Sequence, residues 1–249
     1  MDKEKFKKAC EMIISAGREE KGIGTLGEKT LHAVVKHYIE PDKSKHEIKV
    51  CSFYADIVSD GGIVEIQTRA FTALRKKLAA FLEVAPVTIV YPLPKTKWLI
   101  WVDRDTGELT KKHKSPKQGG IFDAINELYN IKSFLNDPEL SLRFLFLDVE
   151  EYRCLDGWSE DKKRGSTRYD RIPVDIAEDL HFRKVSDYQI FVPDALQQSF
   201  TSRDYMSAAK VNLRTAQTAL NILNHLGVVK RTGKQGKLHI YERNFTRSV

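Results

Sequence analysis

The sequence has few of the features that mark secreted, zinc-bound or membrane-spanning proteins. Its three cysteines, Cys10, Cys51 and Cys154, are an odd number without a closely spaced pair, so neither a disulfide framework nor a zinc cage is expected. No apolar run approaches the roughly 18 residues that a membrane span needs, and the start MDKEKFKKAC lacks a signal-peptide core. We therefore expect reduced core thiols, a cytoplasmic location and no membrane partner.

Acidic residues are scarce at the C-terminal end of the sequence. Residues 195–249 contain nine Lys/Arg against two Asp/Glu, so they carry the whole formal net charge of +7. A chain of 249 residues exceeds the usual size of one domain, roughly 100 to 200 residues, which favours two domains. We predict an electroneutral domain over 1–180 and a basic domain over 181–249, and the basic charge indicates a polyanionic partner.

The first domain is predicted to mix helices and strands. Hydrophobic periodicity and turn signals predict helices near residues 5–16, up to 38, 71–83 and 121–135, and strands near 63–68, 87–91, 98–102 and 142–149. An extended segment, 47–58, precedes the first of these strands, and the polar stretch 157–171 is expected to form an exposed loop. The predicted fold class is α/β.

Two carboxylates are predicted to face each other across a hairpin. The two-residue turn Asp60-Gly61 suits a type I′ hairpin, and this turn sets a register in which paired residue numbers sum to 121. Asp56 then lies opposite Glu65, and like charges at such positions are destabilising, so a cation or a shifted pKa is required. Gln67 lies on the same strand face as Glu65.

The helix before this hairpin carries a third carboxylate, Glu28, on its apolar face. A buried carboxylate is costly, so we expect a metal, a water or a basic partner beside it. His32, one turn later, has two interpretations: a residue of the same site or, more commonly, a structural histidine.

A helix glutamate, an aspartate and the run Glu65-Ile66-Gln67 at a hairpin resemble the PD-(D/E)XK, or restriction-endonuclease-like, nuclease superfamily over about 27–91. The resemblance implies a restriction-endonuclease-like mixed sheet core flanked by helices, in αβββαβ order, that holds a divalent metal against a scissile phosphate. Glu28, Asp56 and Glu65 match its acidic positions, and 71–83 and 87–91 match its crossover helix and parallel strand.

The sequence departs from the motif of this superfamily in three ways. Ala55 replaces its proline, Gln67 replaces its lysine, and only two clear strands are predicted where three are expected. A lysine stabilises the attacking hydroxide by charge, whereas an amide only orients water. Lys36 and Lys49 are two alternative sources of that charge, or ordinary surface lysines.

The resemblance implies a Mg²⁺- or Mn²⁺-dependent endodeoxyribonuclease. Asp56, Glu65 and the carbonyl of Ile66 would hold the metal, Glu28 would support a second ion or a water, and Gln67 would orient the nucleophilic water. The alternatives are a non-catalytic DNA-binding transcriptional regulator with a degenerate nuclease fold and a structural, partner-binding protein. Cleavage of both strands would favour a homodimer.

The second domain shows the element order of a winged helix. From Thr201 the pattern predicts a short helix, a turn, a longer helix and two strands around 233–236. The inward positions of the longer helix are Leu213, Ala216, Leu220 and Leu223. The predicted contacts to double-stranded DNA are Lys210, Asn212, Arg214, Gln217, Thr218 and Asn221 at the longer helix, and Lys230, Arg231, Lys234 and Lys237 on the wing.

The run LRTAQTALNILNHLGVVKRTGKQGKLHIY also resembles the winged-helix domains of bacterial transcription regulators. This resemblance implies the fold and DNA binding, with the helix reading bases and the wing holding phosphates. The alternative is a solvated polar face on a winged helix that binds protein, but such a face usually carries acidic residues as well.

Overall fold

The computed structural model describes residues 1–21, 29–103, 106–154 and 166–244. Two compact units divide the chain. Unit 1 consists of Met1–Thr68, Val90–Gly120 and Phe144–Leu180, and unit 2 consists of Arg69–Ile89, Ile121–Arg143 and His181–Val249. Glu28 and most of the predicted loop 157–171 lie outside the described residues.

Helices and strands alternate along the chain. The α-helices are α1 (Lys3–Lys21), α2 (Lys29–Ile39), α3 (Phe71–Leu82), α4 (Ile125–Asn130), α5 (Ser202–Ala209) and α6 (Leu213–His225). The strands are β1 (His46–Val50), β2 (Phe53–Ser59), β3 (Gly62–Ile66), β4 (Val87–Val102), β5 (His113–Lys114), β6 (Leu140–Cys154), β7 (Thr167–Phe182), β8 (Ser199–Thr201), β9 (Val229–Gln235) and β10 (Leu238–Arg243). Short 3₁₀ helices occupy Lys43–Lys45, Ile121–Ala124, Lys132–Phe134 and Val185–Phe191.

These strands form two sheets. The larger has the order β1-β2-β3-β4-β6-β7, with β5 paired to β4, and the smaller has the order β8-β10-β9. Strands β1, β2 and β3 form an antiparallel meander, and α3 lies in the connection from β3 to β4. The predicted α/β class is confirmed, with a large mixed sheet flanked by helices. Among the described helices, none has the length and apolar character needed to cross a membrane.

The β2–β3 hairpin has the predicted register but not the predicted turn. Its pairs are Ile57–Val64, Val58–Ile63 and Ser59–Gly62, so the residue numbers of each pair sum to 121. A type I′ turn needs a positive φ at both central residues, Asp60 and Gly61. Only the following residue, Gly62, has a positive φ in this turn, 108°, so the type I′ assignment is wrong.

The segment 47–58, predicted as one extended piece, contains a turn that separates β1 from β2. Cys51 lies in this turn with a φ of 52°, a left-handed conformation that a non-glycine residue rarely adopts. The turn therefore leaves no composition signal, and the third strand was missed for this reason. Cys51 is also exposed, whereas Cys10 and Cys154 are buried, so the expectation of three core thiols is wrong for Cys51.

Other element boundaries differ from the predicted ones for identifiable reasons. Helix α1 continues through Gly17 to Lys21 although an internal glycine costs about 1 kcal/mol. The strands predicted at 87–91 and 98–102 are one strand, because the fixed φ of Pro92 and Pro94 is compatible with extended backbone. Strand β7 begins at Thr167, inside the predicted loop.

The core of unit 1 packs α1 and α2 against the larger sheet. Its buried residues are Phe6, Ala9, Cys10, Leu31, Val34, Val35, Tyr38, Ile57, Ile66, Val90, Leu145, Leu147, Val149 and Ile176. Phe6 of α1 meets Tyr38 of α2 edge to face, with ring centroids 5.2 Å apart. The predicted apolar face of α2 is therefore confirmed, and its other faces are left for polar side chains.

Unit 2 gathers distant segments around an aromatic core. Phe122 lies 5.9 Å from Phe191 and 6.4 Å from Tyr205, measured between ring centroids. The hydroxyl of Tyr205 donates to the carbonyl of Phe191 over 2.5 Å. Helix α6 also contacts 121–143, where Lys132 Nζ donates to Asn221 Oδ1 at 2.8 Å. These contacts explain why 121–143 belongs with the C-terminal residues.

Candidate functional site

Asp56 and Glu65 directly adjoin Ile57–Val64, the pair that ends the β2–β3 ladder, and each side chain contacts the backbone of the other strand. Glu65 Oε1 accepts a hydrogen bond from the backbone N–H of Asp56 at 3.1 Å. Asp56 Oδ2 in turn accepts from the backbone N–H of Ile66 at 2.7 Å. Glu65 is 2% exposed and the side chain of Asp56 is 13% exposed. Glu65 is thus buried and Asp56 partly buried, and each carboxylate is oriented by the backbone of the facing strand.

Helix α2 brings two basic side chains to this pair. His32 and Lys36 are four residues apart and share one helix face. His32 Nε2 lies 3.2 Å from Asp56 Oδ2, and Lys36 Nζ lies 3.9 Å from Asp56 Oδ1. Burial acts to raise the pKa of Asp56, but the hydrogen bond and charge of His32, the N–H of Ile66 and the charge of Lys36 together lower it below its usual value. Asp56 is therefore ionised at neutral pH.

Lys36, rather than Lys49, is the lysine beside the carboxylates. Its side chain is 12% exposed and also pairs with Glu47, whereas Lys49 is exposed on β1 opposite Tyr54. Gln67 directly follows β3, and its backbone N–H donates to the carbonyl of Val90 at 2.9 Å. Gln67 is thus attached to β4, whereas the two basic side chains beside Asp56 come from α2.

The described residues offer an incomplete set of metal ligands. They contain no group of three or more His, Cys, Asp or Glu side chains placed to hold a metal ion. Mg²⁺ at phosphate-processing sites usually takes one or two carboxylates, with waters and substrate phosphates completing its shell. Asp56 and Glu65 supply two carboxylates, which is the number that this smaller requirement needs. The third predicted acid, Glu28, lies outside the described residues.

A cavity of about 750 Å³ lies beside this pair in unit 1. The described residues that line it are Ile13, His32, Ala33, Lys36, His37, Lys43, His46, Glu47 and Thr68. Sequence reasoning considered only His32 and Lys36 of this set. The sequence nevertheless contains a signal for this cavity, because three of the seven histidines fall within 32–46, together with Lys36, Lys43 and Lys45.

The polar stripe predicted on α6 is divided in the structure. Arg214 and Gln217 are exposed. Thr218 Oγ1 donates to the carbonyl of Arg214 at 2.9 Å, within the helix. Asn221 is engaged by Lys132 of the same unit, as described above. Arg214 and Gln217 are therefore the members of the stripe that the structure presents most openly.

The residues flanking α6 also have structural roles. Asn212 caps the helix, since its Oδ1 accepts from the N–H of Thr215 at 2.8 Å. Lys210, with a φ of 52°, ends α5. Ala216, Leu220 and Leu223 are buried as predicted, but Leu213 is 38% exposed because it lies in the first turn of the helix.

Strands β9 and β10 form an exposed basic hairpin. It turns at Gly236, whose φ is 59°, and Lys230, Arg231, Lys234 and Lys237 are all exposed. Arg231 is anchored through its backbone N–H, which donates to Asn224 Oδ1 of α6 at 2.9 Å. The hairpin thus holds four cationic side chains in solvent beside α6.

The fold and site define a mixed α/β protein with one buried and one partly buried carboxylate on adjacent strands. Residues 29–183 match the family described as Domain of unknown function (DUF8091), and the chain belongs to that family. The match includes Asp56 and Glu65 and ends before the basic C-terminal residues. An uncharacterized protein of Treponema pallidum (strain Nichols) is 27% identical over 229 residues, covering 89% of this chain and 87% of the relative. No solved structure matches the chain.

Proposed function

We propose that the chain is a Mg²⁺- or Mn²⁺-dependent DNA endonuclease with a restriction-endonuclease-like core and a C-terminal winged helix. The observation that carries the proposal is the facing pair Asp56 and Glu65 within the chain order α2-β1-β2-β3-α3-β4. This is the αβββαβ order that the superfamily resemblance implies, including the strand that sequence patterns did not reveal.

A lysine beside Asp56 supplies the positive charge that the motif loses because Gln67 replaces its lysine. Lys36 places a positive charge 3.9 Å from Asp56 Oδ1, where it would stabilise negative charge on the attacked phosphate, and Gln67 would orient the attacking water. Mg²⁺ held by Asp56, Glu65 and the Ile66 carbonyl would polarise the phosphate and lower the pKa of its bound water.

The C-terminal elements support the DNA-binding half of the proposal. Strand β8 precedes α5 and α6 and pairs with β10 of the following hairpin, and this element order and pairing support the proposed winged helix. Arg214 and Gln217 on α6 are proposed to read bases in the major groove, and the exposed cations of β9 and β10 to hold phosphates.

One feature favours a second candidate, a non-catalytic DNA-binding regulator. His32 and Lys36 already compensate the charge of Asp56, and a buried carboxylate with such partners needs no metal to be stable. In that case the same hairpin is a structural part of the fold, and only the winged helix contacts nucleic acid.

Nicking of supercoiled plasmid by the purified full chain separates the two candidates. The nuclease predicts conversion to open circles with Mg²⁺ or Mn²⁺ and none with EDTA. A gel shift with duplex DNA in EDTA is measured in parallel. DNA that is shifted in the gel but stays intact under all metal conditions identifies the regulator. If the DNA is neither shifted nor nicked, a structural, partner-binding protein is the interpretation that fits.

A further inference from the structure

The cavity in unit 1 is lined mainly by basic side chains. Its described lining contains Lys36, Lys43 and three histidines against a single acid, Glu47, and that acid is paired with Lys36. His46 Nε2 lies 2.8 Å from the carbonyl of Glu40, which holds its ring in place. The cavity therefore suits an anionic ligand.

His37 adds a buried imidazole to the cavity lining. It is 8% exposed, lines the cavity, and its Nδ1 is buried without a hydrogen-bond partner among the described residues. Such buried polar atoms are uncommon and call for an explanation. Burial lowers the pKa of His37, and the positive charges of His46, Lys43 and Lys5 lower it further. His37 is therefore neutral at neutral pH, and Lys36 and Lys43 carry the positive charge of the described lining.

The size of the cavity indicates how large its anionic ligand is. A volume of about 750 Å³ lies within the roughly 300 to 1,000 Å³ typical of small-molecule sites, which suits a single nucleotide rather than a duplex. Ile13 and Ala33 add apolar surface to the polar lining. His32 and Lys36 belong both to this lining and to the surroundings of Asp56, so the cavity adjoins the carboxylate pair.

We propose that this cavity binds one nucleotide through its phosphomonoester, either as the phosphorylated end of a nucleic-acid strand or as a free nucleoside monophosphate. Lys43 supplies the charge for the phosphate, and the histidine rings of the lining supply hydrogen-bonding groups. The inference goes beyond the proposed function, because it assigns a nucleotide ligand to the cavity that adjoins Asp56 and Glu65, whereas a nuclease requires only a phosphodiester at that pair.

Isothermal titration calorimetry on the full chain in EDTA measures ligand affinity for the cavity under conditions without metal-dependent cleavage. We expect dTMP to bind, and thymidine and inorganic phosphate each to bind at least tenfold more weakly. Lys43→Ala should weaken dTMP at least tenfold, while Lys49→Ala, an exposed lysine outside the cavity lining, should leave dTMP affinity unchanged. His37→Asn, with folding checked by circular dichroism, should also weaken dTMP. Equal affinity for dTMP and thymidine, no binding of dTMP, or equal effects of the two lysine variants would overturn the proposal.

Short single-stranded oligonucleotides with a 5′-phosphate, a 3′-phosphate or no phosphate distinguish the two sources of the ligand. Competition with dTMP by one phosphorylated oligonucleotide supports a strand end, and competition by none of them supports a free nucleotide. The result of the plasmid assay does not depend on the result of the dTMP measurement. Binding of dTMP without nicking supports the nucleotide site and contradicts the nuclease proposal. Nicking without dTMP binding supports the nuclease and contradicts the nucleotide site.

Discussion

Two buried carboxylates of unit 1, Glu151 and Asp170, respond to burial in opposite ways. Burial acts to raise the pKa of Glu151, but the charges and hydrogen bonds of Arg171, Arg153 and Arg168 lower it below its usual value. Asp170 accepts hydrogen bonds from the N–H of Arg171 and the hydroxyl of Thr30, yet burial outweighs them and raises its pKa. The two groups therefore make opposite predictions for stability.

Glu151→Gln should lower the free energy of unfolding by about 3 kcal/mol, the lower end of the range for removing one partner of a buried ion pair. The arginines around it are partly exposed, which keeps the loss at that end. A depressed pKa means that the stabilisation is present above the unfolded pKa and is lost as pH falls through the folded one. Urea unfolding measures both effects. Glu150→Gln, the neighbouring and more exposed carboxylate, is the control and should cost less than about 1 kcal/mol; equal losses for both would contradict the assignment.

Asp170→Asn should increase the free energy of unfolding at pH 7. A raised pKa means that the folded state binds the proton more tightly, so wild-type stability falls as pH rises from the unfolded pKa, about 3.9, towards the folded one. The amide retains partners for Thr30 and for the N–H of Arg171 without burying a charge. Urea unfolding at several pH values is the measurement, and a variant less stable than wild type at pH 7 would refute this account.

Lys36 and Gln67 form a testable pair within the proposed nuclease. If Lys36 supplies the charge that Gln67 lacks, Lys36→Gln should lower the Mg²⁺-dependent nicking rate by about 10² to 10³. Gln67→Lys in the same chain should restore part of that rate, because it returns a positive charge to the neighbouring strand. Single-turnover nicking measures the rates, with Lys49→Gln as the control. Loss without any recovery in the double variant would argue against a shared electrostatic role.

At the scale of elements, short-range patterns were predictable and long-range packing was not. A two-residue turn and an alternating strand were sufficient for the Asp56–Glu65 register, and the apolar spacing of α2 was sufficient for its buried face. The turn at Cys51 was not predictable, because it uses a left-handed conformation without glycine. The convergence of α2 on Asp56 and the contact of Lys132 with Asn221 join segments 24 and 89 residues apart, beyond the reach of any local pattern.

The contact between Lys132 and Asn221 changes what is expected of α6. Arg214→Ala or Gln217→Ala should relax sequence preference at a cost of about 1 to 3 kcal/mol per lost base contact. Lys234→Ala on β9, in the proposed wing, should weaken binding to all sequences alike. Asn221→Ala should leave sequence preference unchanged, because its Oδ1 is occupied by Lys132. Fluorescence anisotropy on a selected site and its mismatched versions measures these effects; a specificity change at Asn221 as large as at Arg214 would contradict the division of the helix.

At the scale of the whole molecule, charge is separated along the chain. The net charge of +7 lies in residues 195–249, whereas the carboxylate pair lies within the electroneutral remainder. The C-terminal residues form one compact unit with 69–89 and 121–143, so cutting the chain at residue 181 would remove contacts of α6. DNA affinity and cleavage are therefore best separated by substitutions in the full chain.

The most direct measurement compares Asp56→Asn with wild type in one experiment, recording plasmid nicking in Mg²⁺ and duplex affinity in EDTA. The account predicts that nicking is abolished, because a carboxylate of the pair is lost, while affinity stays within about twofold, because the proposed winged helix is unchanged. Glu65→Gln should behave in the same way. Wild-type nicking that persists undiminished in Asp56→Asn would contradict the proposed site.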